Sequence, residues 1–289
     1  MGNPRIRCVR PAPTIPAQRG ADRRGPAPPP VPWRPPFVWR VLLALAGVVA
    51  PLFCRLRVVD EIPDELRGRP LILACNHIGT FDPIALVAAC WRRGMAPRIL
   101  ATGGLFRTPV VGVALRRCGH IRVNRSDSSA VDALDSALAA VREGSVVAGY
   151  PEGRITLHPG MWPERARSGL ARLALAGGVP VIPVSQWGAH EVMAWHGWLS
   201  MVTRLSVSLW RRPVVWVRFG MPVDLAGLDA TVPRHAVYAA ARITSAVTEG
   251  LRPLREAEPS LPRYVDPTRP VSVARGFVSA QEDGRPSRV

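Results

Sequence analysis

Asn76-His77-Ile78-Gly79-Thr80-Phe81-Asp82 is the stretch from which the rest of the chain is read. Ahead of it runs Leu71-Ile72-Leu73-Ala74-Cys75, an apolar run of the length of a buried strand. Behind it come Pro83 and Ile84-Ala85-Leu86-Val87-Ala88-Ala89, which predict a helix with proline at its start. His77 thus stands where a strand ends and Asp82 where a helix begins, and strand ends are where α/β folds collect their chemistry. A five-residue separation would not share one helical face, so the side chains meet only if the loop folds back. A carboxylate brought onto the imidazole in that way would fix its tautomer and stabilise a transient imidazolium, as a general base requires. The plainer alternative is a helix N-cap at Asp82 beside a solvated histidine.

The 289 residues suffice for one large domain, or for a domain plus tails, and 47% hydrophobic residues are ample for a core. The net charge of +17 is built wholly from arginine, because the sequence contains no lysine. A pI near 11.4 implies polyanionic company, either nucleic acid or an anionic membrane face. No nucleic-acid motif is present, and the aromatics do not interleave with the arginines as stacking platforms would, so no nucleic-acid partner is expected. Cys8, Cys54, Cys75, Cys90 and Cys118 form no CxxC pair. They read as small core residues in a reducing compartment, with no structural metal.

Residues 1–36 are crowded with proline and arginine and read as disordered, or as an overlong start. From Phe37 to Phe53 the chain turns apolar, but its uninterrupted part is shorter than the ~20 residues a spanning helix needs. Trp33 and Trp39, with Arg34, Arg40, Arg55 and Arg57, suit a helix lying in the headgroup region of a membrane. A core helix competes with that reading. So does a signal peptide cut near Ala44-Leu45-Ala46, although the proline-rich lead and unpaired cysteines weigh against export. The expected division is a membrane-interfacial helix over 37–57, a catalytic domain over 58–256 and a disordered tail over 257–289. The expected location is the cytoplasmic face of the cell membrane, with peripheral or monotopic attachment.

Downstream, Arg98 to Thr102 predicts a strand ended by Gly103-Gly104, and Val110 to Leu115 a helix. Gly119-His120-Ile121-Arg122-Val123-Asn124-Arg125 reads as a short strand delivering an arginine at its end. Ser129 to Glu143 has the clearest helical spacing, with Ser128 or Ser129 as cap and Gly144 as stop. Val146 to Tyr150 is a buried strand that leads into Pro151-Glu152-Gly153-Arg154, on its own an ordinary turn. Arg167 and Gly169 open a helix over Leu170 to Ala176, and Val179 to Val184 follows as a strand. Leu205 to Leu209 and Val214 to Phe219 both alternate like strands, among Trp187, Trp195, Trp198 and Trp210. Arg234 to Leu254 predicts a closing helix. The alternation of strand and helix argues for an α/β fold.

Four of these blocks together resemble the glycerolipid acyltransferase family, typified by 1-acyl-glycerol-3-phosphate acyltransferase. They are Asn-His with Asp82 after four intervening residues, glycine through Arg125, Tyr150-Pro-Glu-Gly, and Val179-Pro-Val-Ile-Pro-Val184. The resemblance spans Asn76 to Val184 and implies a mixed, mostly parallel sheet flanked by helices. It implies His77 as general base and Asp82 as its partner. Asn76, Arg125, Glu152, Gly153, Arg154 and Arg167 would be substrate-binding, with the arginines on phosphate, which a guanidinium fork matches bidentately. A helix N-terminus beside Arg167 would add free amides to that seat.

The implied partners are acyl-CoA or acyl carrier protein as donor, a lysophospholipid as acceptor, and an anionic membrane surface. No metal or cofactor is implied. Two departures stand out: Arg122 replaces the usual aromatic of the second block, and Arg154 stands where the third block has threonine. Both leave room for a different lipid acceptor, glycolipid or amino-acid lipid. The rival from another class is a non-catalytic basic membrane-binding module, against which the intact His-Asp pair counts.

Overall fold

The computed structural model describes residues 33–60, 62–124 and 127–270. Arg125, most of the proline-rich lead and the last part of the tail lie outside the described residues. In chain order the elements are α1 (Phe37–Phe53), β1 (Arg55–Val59), β2 (Leu71–Cys75), α2 (Asp82–Arg92) and β3 (Arg98–Thr102). Then come α3 (Gly103–Arg107), α4 (Pro109–Arg117), β4 (Ile121–Val123), α5 (Asp127–Arg142), β5 (Val146–Gly149) and α6 (Gly169–Gly177). The chain closes with β6 (Val181–Trp187), α7 (Trp198–Arg211), β7 (Val214–Phe219) and α8 (Pro233–Leu251).

The strands form a 7-stranded sheet in the order β1-β7-β6-β2-β5-β3-β4. Every neighbouring pair is parallel except β6 with β7. The mixed, mostly parallel sheet is the one expected. Its centre is β2, whose alternation feeds two cores at once. Leu71, Leu73 and Cys75 join the cluster holding Ala50, Ala85 and Ala89 of α1 and α2. Ile72 and Ala74 join the cluster holding Ala137, Leu173 and Ile243 of α5, α6 and α8. A strand covered by helices on both faces must be apolar throughout, and all five residues of β2 are buried.

The N-terminal helix is built for two environments. Trp39, Leu43, Gly47 and Ala50 are buried on one stripe. A Cβ at Gly47 would come within 2.1 Å of the Trp91 ring, so only glycine lets α1 lie this close to α2. The opposite stripe, Phe37, Val41, Leu45, Val48 and Leu52, is exposed. The helix is thus neither wholly core nor wholly detached. It also ends earlier than position 57: Arg55–Val59 pairs with β7 as an edge strand that buries Leu56. Among the described residues no helix is long and apolar enough to cross a membrane.

Four further expectations are corrected. Leu205 to Leu209 is not a strand but lies inside α7. Met201, Arg204, Leu205 and Ser208 turn inward at helical spacing, and the Ser208 hydroxyl donates to Val192 O at 2.9 Å. The short alternation of apolar residues lost to that longer period. Gly103-Gly104 opens α3 rather than merely ending β3. Ser128 and Ser129 lie inside the first turn of α5, which begins at Asp127, so neither caps it. The tail expected from residue 257 is, as far as Pro270, packed against the domain: Asp266 and Arg269 are buried. Polar composition hid this, because the segment docks through hydrogen bonds more than through apolar periodicity. The described cysteines, Cys54, Cys75, Cys90 and Cys118, are all buried and free, as their apolar settings suggested.

Candidate active site

The loops leaving the C-terminal ends of β2, β5 and β6 converge, at the place where open α/β sheets bind their ligands. The loop after β2 folds back on itself. His77 Nδ1 lies 2.8 Å from Asp82 Oδ2, and the same oxygen accepts from Ile78 N at 2.5 Å and Gly79 N at 2.8 Å. Asp82 is completely buried, at the first turn of α2. Asp82 Oδ2 already accepts from two backbone amides, so the hydrogen in its contact with the ring is assigned to the imidazole. His77 therefore carries hydrogen on Nδ1 and presents Nε2 as an acceptor. Its ring is stacked on Tyr150, with centroids 4.1 Å apart, and its side chain retains 17% exposure.

The backbone of His77 is held as firmly as its ring. Its N–H donates to Glu152 Oε1 at 3.3 Å, and its carbonyl accepts from Thr156 N at 2.7 Å. Glu152 also receives Glu164 N on its other oxygen at 2.9 Å. Burial pushes its carboxyl up to about 8, overriding the downward pull of those two amides. Glu152 is thus a buried brace between the His77 loop and the 158–168 loop.

Asn76 occupies a similar position. Its side-chain oxygen accepts from Gln186 N at 2.7 Å and its amide donates to Gln186 O at 2.9 Å. It staples the end of β2 to β6 and is buried. The resemblance had Asn76 and Glu152 touching substrate; the geometry has both supporting the loop that carries His77.

The remaining arginines differ among themselves. Arg154 donates through Nε and Nη2 to Glu164 Oε2, at 3.1 and 2.6 Å, so its charge is already engaged. Arg167 is exposed, its side chain laid over Gly153, where a Cβ would meet Arg167 Cδ at 3.2 Å. Gly153 has φ of +69°, which favours glycine in any case. The turn after β5 therefore carries Arg167 across its top. Among the described residues no group of three His, Cys, Asp or Glu side chains is arranged to hold a metal ion.

Three contributors to this region escaped the reading of motifs. Gln186 is one, as the partner of Asn76. His190 is another: it is buried beside Gly79, packed on Trp187 at 4.8 Å, and pushed down to about 3 by burial and nearby guanidinium groups. The third is Arg269, whose guanidinium donates to Ile78 O at 2.9 Å and to Thr156 O. None belongs to a local pattern, so only the folded chain brings them here.

The α/β sheet thus carries a His-Asp pair at the end of its central strand, β2. Residues 57–187 match the family model described as Acyltransferase. The chain is 26% identical over 136 residues to a chloroplastic 1-acyl-sn-glycerol-3-phosphate acyltransferase of Brassica napus, covering 47% of this chain and 37% of that one. It is 31% identical over 122 residues to the 1-acyl-sn-glycerol-3-phosphate acyltransferase of Borreliella burgdorferi, covering 42% and 47%. The chain therefore spans less than half the length of these two relatives. In fold it is similar to the crystal structure of the 1-acyl-sn-glycerophosphate acyltransferase PlsC from Thermotoga maritima. That likeness has a TM-score of 0.57 and 21% identity, and covers 75% of this chain and 79% of that one. Residues 57–187 thus resemble the Acyltransferase family, and the relatives that this stretch matches are named as glycerolipid acyltransferases.

Proposed function

We propose that the protein transfers a fatty acyl group from acyl-CoA or acyl carrier protein to the sn-2 hydroxyl of 1-acyl-glycerol-3-phosphate, giving phosphatidic acid. The observation that carries this reading is the 2.8 Å His77–Asp82 contact, with Nε2 left as the basic nitrogen. In the reaction Nε2 takes the hydroxyl proton as the oxygen attacks the thioester carbonyl. The tetrahedral intermediate then collapses, the C–S bond breaks, and the thiolate recovers the proton from the imidazolium. Buried Asp82 stabilises that cation while it exists. No enzyme nucleophile is required. The names of the relatives support the acceptor class, and exposed Arg167 supports a phosphate contact.

The reading is tested by following thioester consumption with a panel of lysophospholipids, using wild type and Arg125→Ala. With lysophosphatidate, loss of a charged hydrogen bond at Arg125 is expected to raise the acceptor KM about ten- to a hundredfold. Lysine at 125 should recover only part of this, because an ammonium lacks the guanidinium fork. An unchanged acceptor KM in both variants would remove Arg125 from the site. The engagement of Arg154 with Glu164 favours a second reading, the same chemistry on a lipid acceptor other than lysophosphatidate. Activity restricted to acceptors without a terminal phosphate would establish it in place of the first.

The exposed stripe of α1, with Val110 on α4 and Trp198 and Trp210 on α7, supports seating on an anionic membrane face. Leu45→Glu with Val48→Glu touches only the exposed stripe. Keeping the two apolar side chains out of the lipid forfeits about 1.5–3 kcal/mol or more, so vesicle affinity is expected to drop by at least about tenfold. Unchanged sedimentation with phosphatidylglycerol vesicles would rule out α1 as the contact.

A further inference from the structure

The C-terminal segment beyond α8 runs back across the candidate site. It is fastened at several points. Arg255 is sandwiched between the Trp162 and Trp187 rings, 3.9 and 4.1 Å from their centroids, and donates to Gly160 O at 2.7 Å. Arg263 pairs with Glu191 at 2.7 Å. Asp266 accepts from Trp195 N, and Thr268 Oγ1 accepts from His196 N at 3.0 Å. Asp266 also accepts from Thr268 N at 2.9 Å, which closes a turn and presents the next residue inward. That residue is Arg269, buried, with Trp195 beneath its guanidinium at 5.1 Å.

Both carbonyls that Arg269 holds belong to the machinery around His77. Ile78 O lies in the loop that carries the imidazole, one residue on. Thr156 O belongs to the residue whose N–H holds His77 O. One planar fork thus joins the loop after β2 to the loop after β5. It also brings a buried positive charge close to four carboxyl groups, Asp82, Asp266, Glu152 and Glu164. Such a fork across two carbonyls is a geometry that guanidinium provides and ammonium does not.

We propose that residues 253–270 form a strap over the site and that Arg269 is a positioning residue, fixing His77 against Asp82 by clamping the two loops on either side of it. This rests on the acyl-transfer reading above. Displacing a catalytic group by about 1 Å is enough to lower turnover about a hundredfold without touching substrate.

The test compares wild type, Arg269→Ala and Arg269→Lys as full chains, with thermal melts to establish folding. Acyl transfer is measured with lysophosphatidate and acyl-CoA. In Arg269→Ala, kcat is expected to fall about ten- to a hundredfold while both KM values stay within about twofold. Millimolar guanidinium ion should restore part of that kcat, and Arg269→Lys should remain well below wild type. A kcat within about twofold of wild type in folded Arg269→Ala overturns the proposal, and so does a rise in acceptor KM at unchanged kcat. A second readout needs no turnover: the low-field proton resonance of His77 Nδ1–H should be sharp in wild type and broadened by exchange in Arg269→Ala. Should wild type transfer no acyl group to any lysophospholipid, the functional reading fails separately. The resonance then decides the strap, and its persistence in Arg269→Ala overturns it.

Discussion

Replacing His77 with alanine is expected to lower kcat/KM for acyl transfer by about 10²–10⁴-fold, the contribution of a general base in position. The protein should stay folded. What anchors residue 77 is its main chain, through Glu152 and Thr156, and alanine keeps both of those bonds. The ring is partly exposed, and after its removal Asp82 Oδ2 still accepts from Ile78 N and Gly79 N. Thiol release from acyl-CoA in the presence of lysophosphatidate, alongside a thermal melt, measures both halves of the expectation. Transfer within a few-fold of wild type in a folded variant would take the proton-accepting role away from His77.

Asp82 should behave differently, because it serves both stability and chemistry. In Asp82→Ala the donors of His77 Nδ1, Ile78 N and Gly79 N lose their common acceptor in a fully buried place. Two buried amides left without an acceptor cost about 1–3 kcal/mol each, roughly 2–6 kcal/mol together. For a domain of this size that corresponds to a fall in Tm of roughly 10 °C. Asp82→Asn keeps the volume and one acceptor oxygen, so its Tm should fall less. Its turnover should still be lost. The amide oxygen can still accept from Ile78 N, Gly79 N and Nδ1, but a neutral amide cannot balance the imidazolium that forms, and in Ser-His-Asp triads the same exchange lowers kcat by about 10⁴. Comparing urea unfolding with thioester kinetics for the two variants separates the effects. Full turnover in Asp82→Asn would mean that the charge at this position is dispensable.

How much of this was legible in the chain follows the sequence distance of each contact. His77 and Asp82 are five apart, and the turn between them is a local event. The same holds for β2 and α2, whose apolar run and proline are self-contained signals. The sheet's class followed from alternating strand and helix. The supports of the site did not. Asn76 meets Gln186 across 110 residues and Ile78 meets Arg269 across 191, and no periodicity or turn residue encodes such pairs. Glu152 was picked out, yet its place beneath the loop depends on how β5 pairs with β2. The errors in elements came from short patterns met by larger ones: five alternating residues inside the fourteen of α7, and a strand beginning two residues after α1 ends.

The seat of Asp82 has a consequence for how the loop can vary. Two of the three groups that grip its carboxylate are amide hydrogens of Ile78 and Gly79, which every residue but proline supplies. As far as that grip is concerned, the letters between His77 and Asp82 are open to drift. Their number is not. One residue added or removed would swing the amides off the carboxylate and rotate Asp82 by about 100° around the start of α2. Across diverging relatives, this loop should therefore keep its length even where its residues change, with Gly79 held back by the His190 backbone, which a Cβ there would meet at 3.0 Å.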